Sequence, residues 1–284
     1  MQSQISLNQP DTLRHNRAIT TTSRGFKSAW ADVIEGARLW PLWGALGWNE
    51  ILQRYRRSTL GPFWLTASMA VMVVALGVVY AELFQQKIDD FIPFFCVGML
   101  IWTLIAGYLT ESGTLFTASE SYIKQISLPF SVYVFRSGWA KLIIFAHNFV
   151  IYFGVLIFFR IWPGSVALLA IVGLLLIVLN GAFASLTIGM VSARFRDIPQ
   201  VINSVVQILF FLTPVFWKPE SLKGHAYITE YNPFFHLLQI VRAPLLGDYP
   251  TATNYLAVIF ITILNAALAL YLFSRFRGRI AYWI

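Results

Sequence analysis

The stretch Gln53-Arg54-Tyr55-Arg56-Arg57-Ser58-Thr59-Leu60-Gly61-Pro62-Phe63-Trp64 decides how this chain is read. A basic, Trp-rich segment leads into it and an uncharged apolar run leaves it. Upstream, Trp48, Ile51, Leu52 and Tyr55 recur at spacings of three and four, while Glu50, Gln53, Arg54 and Arg57 fall mostly on the other face. That pattern predicts an amphipathic helix over residues 38–57, lying flat on a membrane with its apolar face in lipid. Downstream the chain enters the bilayer. Residues 1–22 are polar and lack the apolar core of a cleavable signal, and residues 1–37 read as a mobile cytoplasmic arm.

Composition supports the same class. Hydrophobic residues make up 57% of the 284 and charged residues 12%, against about 25% charged in soluble domains. Crossing a hydrocarbon core of about 30 Å takes roughly 20 apolar residues, and six windows qualify: residues 60–83, 91–110, 140–160, 165–192, 198–217 and 250–274. The expected fold is therefore an all-α integral membrane protein of six transmembrane helices, with a transmembrane domain over 58–284. In the third window Lys141 is expected to snorkel to the interface. An even count puts both termini on one side, and all but five of the 21 Lys and Arg residues fall on that side. The five are Lys87, Arg160, Lys218, Lys223 and Arg242, so the basic side is read as cytoplasmic. Residues 218–248 form neither a span nor a simple loop. Their stretch Asn232 to Arg242 has helical period but is too short to cross, which fits either re-entrant helices or a surface helix.

The chemistry absent from the sequence is informative. No window matches the phosphate-cradling G-x-x-x-x-G-K-[ST] loop, since Gly25-Phe26-Lys27-Ser28 lacks the earlier glycine. His15, His147, His225 and His236 have no metal-ligand spacing, and the single cysteine, Cys96, lies in an apolar run. Every Asp and Glu sits at a boundary or in a loop, so His147, beside Asn148, is the only ionisable group well inside a span. Carriers that couple to ions or protons need such groups in the membrane, so the energy for transport is expected from another chain. A membrane transferase would need a carboxylate or His cluster, and the only adjacent acidic pair is Asp89-Asp90. The 24 Phe, 12 Tyr and 10 Trp would suit a wall along which sugar rings slide, though most must face lipid or other helices.

Four ordered stretches resemble one family. Arg54-Tyr55-Arg56-Arg57-Ser58-Thr59-Leu60-Gly61-Pro62-Phe63-Trp64 is similar to the R-Y-x-x-S-x-L-G-x-x-W signature of permease subunits of ABC-2 type polysaccharide and O-antigen exporters. Tyr122-Ile123-Lys124-Gln125-Ile126-Ser127-Leu128-Pro129 resembles the family's cytoplasmic coupling segment. Arg196-Asp197-Ile198 with Thr213-Pro214-Val215-Phe216 resembles the two ends of its fifth span. Asn232-Pro233 with Arg242, Leu245, Leu246 and Gly247 resembles its external re-entrant segment. The resemblance implies a non-catalytic channel subunit of the cytoplasmic (inner) membrane, two copies forming the channel, and two ABC ATPase subunits that carry the ATP and Mg. The implied cargo is a lipid-linked glycan of O-antigen, capsular or teichoic-acid type; a drug or small lipid is the alternative. No cofactor on this chain and no nucleic acid are implied, and membrane lipids surround it. Site residues carried over by this resemblance are Arg54, Arg56 and Arg57 for a lipid diphosphate, and Glu120, Tyr122, Lys124 and Gln125 for ATPase coupling. Phe210, Phe216 and Trp217 are expected at the pore exit, with Phe210 and Trp217 on one helical face and Phe211 packed elsewhere. Asn232, Pro233 and Arg242 are expected at an external gate.

Overall fold

A computed structural model describes residues 25–56, 61, 63–221, 225 and 227–284. Every regular element among them is helical. The helices are α1 (Phe26–Arg38), α2 (Trp40–Arg54), α3 (Phe63–Leu83), α4 (Ile88–Ser112), α5 (Glu120–Gln125), α6 (Ser131–Phe159), α7 (Leu169–Arg194), α8 (Ile198–Leu212), α9 (Tyr227–Glu230), α10 (Pro233–Leu245), α11 (Ala252–Phe276) and α12 (Ile280–Trp283). Five stretches are long and apolar enough to cross a membrane: α3, α4, α6, α7 with its 3-10 lead-in, and α11 with its C-terminal extension. In α4, 72% of the apolar window is buried, against 22% or less in the other four. This helix is the axis of the bundle, with α3, α6, α7, α8 and α10 packed around it.

The fifth expected span departs from the sequence reading. Helix α8 has 15 residues and stops at Leu212, giving about 22 Å of rise, less than a hydrocarbon core of about 30 Å. Pro214 is the cause. A residue before proline avoids the helical region, and Thr213 is extended at φ −91°, ψ 135°. Residues 213–217 then turn instead of continuing the helix. Another departure lies at the start of the chain. The arm expected over 1–37 is helical from Phe26 onward, while residues 1–24 lie outside the described ones. Helix α1 forms because Ala29, Asp32 and Gly36, at helical spacing, are buried against α6 and α11.

Burial against lipid supplies little drive for helix association, so close approach and hydrogen bonds between helices matter more. Asn180 of α7 donates to Thr262 of α11 at 2.6 Å, and Asn265 donates back to the Asn180 carbonyl at 2.9 Å. Ser112 and Ser185 join α4 to α7 at 2.9 Å. Gly173 lets α10 lie directly on α7, since a β-carbon there would come within 2.6 Å of the Ile240 carbonyl oxygen. Helix α10 is no surface helix: His236, Leu237, Leu238, Ile240, Val241 and Arg242 are all buried between α4, α7 and α11. It runs through Pro244 to Leu245, three residues beyond the expected end at Arg242, and Gly247 at φ +93° turns the chain afterwards.

Two ionic ties hold the basic end of the bundle. In the first, Asp32 of α1 caps α6 from outside. Its carboxylate accepts from the backbone N–H groups of Phe130 at 3.2 Å and Ser131 at 3.0 Å, donors that an isolated helix would leave without partners. Its negative charge also suits a helix N-terminus. Ser131 Oγ donates to the Asp32 carbonyl at 2.7 Å, and Arg277 lies 3.5 Å from the carboxylate and donates to the Ser28 carbonyl at 2.6 Å. Burial pushes the Asp32 carboxyl up, opposed by the hydrogen bonds and the Arg277 charge. The Gly36 backbone runs so close that a β-carbon would sit 2.0 Å from Ser131 Oγ.

The second tie corrects the reading of Lys141. It does not snorkel: its side chain is 5% exposed, and its ammonium pairs with the Glu111 carboxylate at the end of α4. Arg54 Nη2 lies 3.4 Å from Glu111 and 3.7 Å from Glu50. Arg136 Nε lies 3.5 Å from the other Glu50 oxygen, and its Nη2 donates to Ser119 at 3.2 Å. This chain of charges fastens the amphipathic helix α2 to α4 and α6.

Both ties are testable by denaturation of the detergent-solubilised protein. Asp32→Ala removes the cap and leaves Arg277 buried without its carboxylate, so stability falls by about 3–5 kcal/mol. Asp32→Asn, which still accepts from an N–H, loses less, and a wild-type transition for Asp32→Ala would show that the cap contributes nothing. For the second tie, Glu111→Leu strands the Lys141 ammonium and costs about 3 kcal/mol, whereas Glu111→Leu combined with Lys141→Leu recovers most of that loss. Additive losses would contradict the pairing.

Candidate functional site

Helix α8 has three faces. Ile202, Val206, Leu209 and Phe210 turn to the core around α4. Val201, Val205, Ile208 and Leu212 form an exposed apolar face. Between them Gln200, Asn203, Ser204 and Gln207 follow one another at spacings of three, one and three, all exposed. At about 100° per residue these four fall within roughly 100° of arc. Phe211, 57% exposed, continues the line one turn beyond Gln207. Ser204 Oγ turns back to the Gln200 carbonyl at 3.2 Å. Amides facing hydrocarbon are costly, so this side of α8 belongs against water, cargo or another polypeptide. The sequence reading missed the stripe because it searched the spans for ionisable groups. The signal was there in the spacing of Gln, Asn and Ser within an otherwise apolar run.

The end of α8 gathers the residues expected at the exit and the gate, with their roles rearranged. The helix stops before Trp217, so Phe210 and Trp217 do not share a helical face. Phe210 packs on Trp102 at 5.9 Å and Phe216 at 5.3 Å, and Phe216 stacks on Tyr80 at 5.1 Å. These two rings belong to an aromatic cluster joining α3, α4 and α8. Phe211, expected as the packing ring, is the exposed one. Trp217 is half-buried, and its indole N–H donates to the Phe211 carbonyl at 3.1 Å.

Asn232 and Arg242 act on the same break. Asn232 Nδ2 donates to the Leu212 carbonyl at 3.2 Å and to Thr213 Oγ1 at 3.1 Å. Its Oδ1 caps α10 by accepting from Phe234 N–H at 2.9 Å, with Pro233 in the first turn. Arg242 is 2% exposed. Its guanidinium donates to the Pro214 carbonyl at 2.6 Å and to Gln239 Oε1 at 2.9 and 3.2 Å, and lies 4.1 Å over the Phe94 ring. Carbonyls released by a helix end need partners, and α10 supplies them. Two of the three residues expected as a gate, Asn232 and Arg242, thus strap the end of the polar stripe to the buried helix α10, while Pro233 starts that helix.

At the basic end, α5 projects between the ends of α4 and α6. Tyr122, Lys124 and Gln125 are exposed, and Lys124 bonds Glu120 at 2.6 Å. That hydrogen bond, and then the Lys124 charge, hold the Glu120 carboxyl below the usual range. These side chains form one short accessible surface, five residues before the α6 N-terminus that Asp32 caps. The headgroup residues are not equivalent. Arg54 is already shared between Glu50 and Glu111, Arg56 is exposed with no ion pair among the described residues, and Arg57 lies outside the described residues, as do Ser58, Thr59, Leu60 and Pro62 of the junction.

The family model for the ABC-2 type transporter matches residues 41–246, from the start of α2 to just beyond α10. No curated protein matches the chain. The matched region holds four of the five long apolar helices, the striped α8 and the buried α10 strapped to its end. The chain belongs to the ABC-2 type transporter family, as a multi-pass membrane permease component of the kind that pairs with an ABC ATPase subunit.

Proposed function

We propose that this chain is the permease of an exporter for a lipid-linked polysaccharide of O-antigen, capsular or teichoic-acid type. Two copies face each other across a conduit in the cytoplasmic (inner) membrane, with both termini in the cytoplasm. Helix α8 acts as the short fifth span, and α10 dips into the membrane beside it from outside. Two ABC ATPase subunits, holding the ATP and Mg, press on α5 through Tyr122, Lys124 and Gln125. The lipid diphosphate meets the Arg54, Arg56 and Arg57 junction; Arg54 and Arg56 are both exposed, and Arg54 is shared with Glu50 and Glu111.

The observation that carries this reading is the α8 stripe. Amides and a hydroxyl along one face exchange hydrogen bonds with successive sugar hydroxyls without fixing any one of them, and the Phe211 ring offers a face to an apolar sugar surface at the end of the path. One other feature favours the alternative cargo, a drug or small lipid. A groove of about 910 Å³ between α6 and α7 is lined almost wholly by apolar groups, among them Trp48, Trp139, Phe149 and Leu174.

Surface glycan, measured in cells producing equal amounts of each variant, separates the two. Asn203→Leu with Gln207→Leu removes two polar contacts from the path. At about 1 kcal/mol for each hydrogen bond, export falls about 30-fold, while Val205→Leu with Ile208→Leu on the neighbouring face leaves it unchanged. Normal glycan in the stripe variant would refute the glycan path. Loss of resistance to an apolar drug after Leu174→Trp, with glycan unaffected, would establish the alternative.

A further inference from the structure

The ends of α7 and α11 enclose a cleft of about 320 Å³ that the transport reading does not use. Its walls are apolar, from Met190 and Val191 on α7 and Leu272 and Phe276 on α11. Arg194 and Arg279 stand at its mouth and Trp283 of α12 closes one side. Arg194 lies over the Phe195 and Trp283 rings, 5.5 Å from each centroid, and Arg279 lies 5.9 Å over Phe276. Arg275, at 5.8 Å over the same ring, adds a third cation nearby. Among the described residues none of these three guanidiniums has a carboxylate within ion-pair distance, although Arg277, in the same turn, is paired with Asp32.

Position and charge together indicate the occupant. Both helices are candidate spans that carry a cation in their last turn, so the mouth lies where hydrocarbon gives way to headgroups. The walls lie below it, at the depth of acyl chains. Basic pockets between spans on the cytoplasmic side suit anionic lipid headgroups, and a guanidinium fork matches two phosphate oxygens. A protein partner would meet an apolar wall sunk toward the bilayer core, which a lipid tail fills without leaving the membrane. We infer that the cleft is a site for an anionic phospholipid of the surrounding bilayer, its phosphodiester held by Arg194 and Arg279 and an acyl chain lying between α7 and α11. That this lipid belongs to the cytoplasmic leaflet rests on the orientation proposed above; the binding itself does not.

Native mass spectrometry of the purified full chain, titrated with phosphatidylglycerol or phosphatidylcholine, tests this directly. The wild type should retain phosphatidylglycerol in preference to phosphatidylcholine. Arg194→Gln with Arg279→Gln should weaken phosphatidylglycerol binding about 25-fold, two cations each contributing about a factor of five. Leu272→Trp fills the cleft while keeping both guanidiniums, and it should also lose the lipid. It decides the matter if the Gln variant is not recovered folded. Wild-type phosphatidylglycerol binding by either variant, or equal binding of the two lipids by the wild type, would overturn the inference. Displacement by millimolar inorganic phosphate would overturn it in favour of a free-phosphate site. Loss of ATPase capture by the Gln variant, with lipid binding unchanged, would assign the cleft to the partner instead. The assay needs no cargo, so failure of glycan export would leave the lipid site standing.

Discussion

The carbonyl groups released where α8 stops at Leu212 set the main constraint on this protein. A chain inside a membrane protein has little water to complete its hydrogen bonds, so each released group needs a partner from the protein itself. Asn232 takes the Leu212 carbonyl and Arg242 takes that of Pro214. Both side chains come from α10 or its cap. Helix α10 must therefore be buried beside α4 and α7, and the glycine at position 173 makes room for it. Because Arg242 also binds Gln239 and lies over Phe94, its charge is dispersed over several partners in a place where an isolated charge would be costly. The end of the polar stripe, the aromatic cluster of Phe210 and Phe216, and helix α10 are thus one mechanical unit.

At the opposite end the same logic uses full charges. Asp32 completes the N-terminus of α6, and Glu111 neutralises Lys141 while sharing Arg54 with Glu50. These contacts join α1 and α2, which lie outside the candidate spans, to the helices that line the core. A push on α5 would reach α6 through residues 126–130, the last of which meets the Asp32 cap, and α4 through the turns at residues 113–119. Helix α4, the most buried of the long helices, packs directly on α8. A physical route therefore runs from the accessible surface of α5 to the polar stripe.

Much of this was legible from sequence, for identifiable reasons. Long uncharged runs and the placement of cations mark the spans, because hydropathy integrates over about 20 residues and tolerates local error. The family resemblance marked the stretches that hold α5, the start of α8 and the segment after it. Local errors arose where a single residue outweighed a periodic pattern. Pro214 ends α8 before Trp217, so a helical period continued through it puts Phe210 and Trp217 on one face that the chain does not form, and Phe211 is the exposed ring. Lys141 looked like an interfacial cation because its partner, Glu111, lies 30 positions earlier and only the packing of α4 on α6 brings them together. The cap made by Asp32 was invisible for the same reason, since its partners are about 100 residues away. The stripe on α8 could have been read from spacing alone.

The central claim is that the Gln200–Gln207 face of α8 borders an aqueous path while the adjacent face does not. Cysteine substitution along α8 measures this most directly, since the single native cysteine, Cys96, is buried. A small water-soluble thiol reagent applied to membranes should label cysteine at positions 203 and 207, and far more slowly at 205 and 208. Saturating the exporter with cargo should slow labelling at 203 and 207 only. Labelling at 205 and 208 with protection at 203 and 207, or equal labelling at all four, would contradict the account.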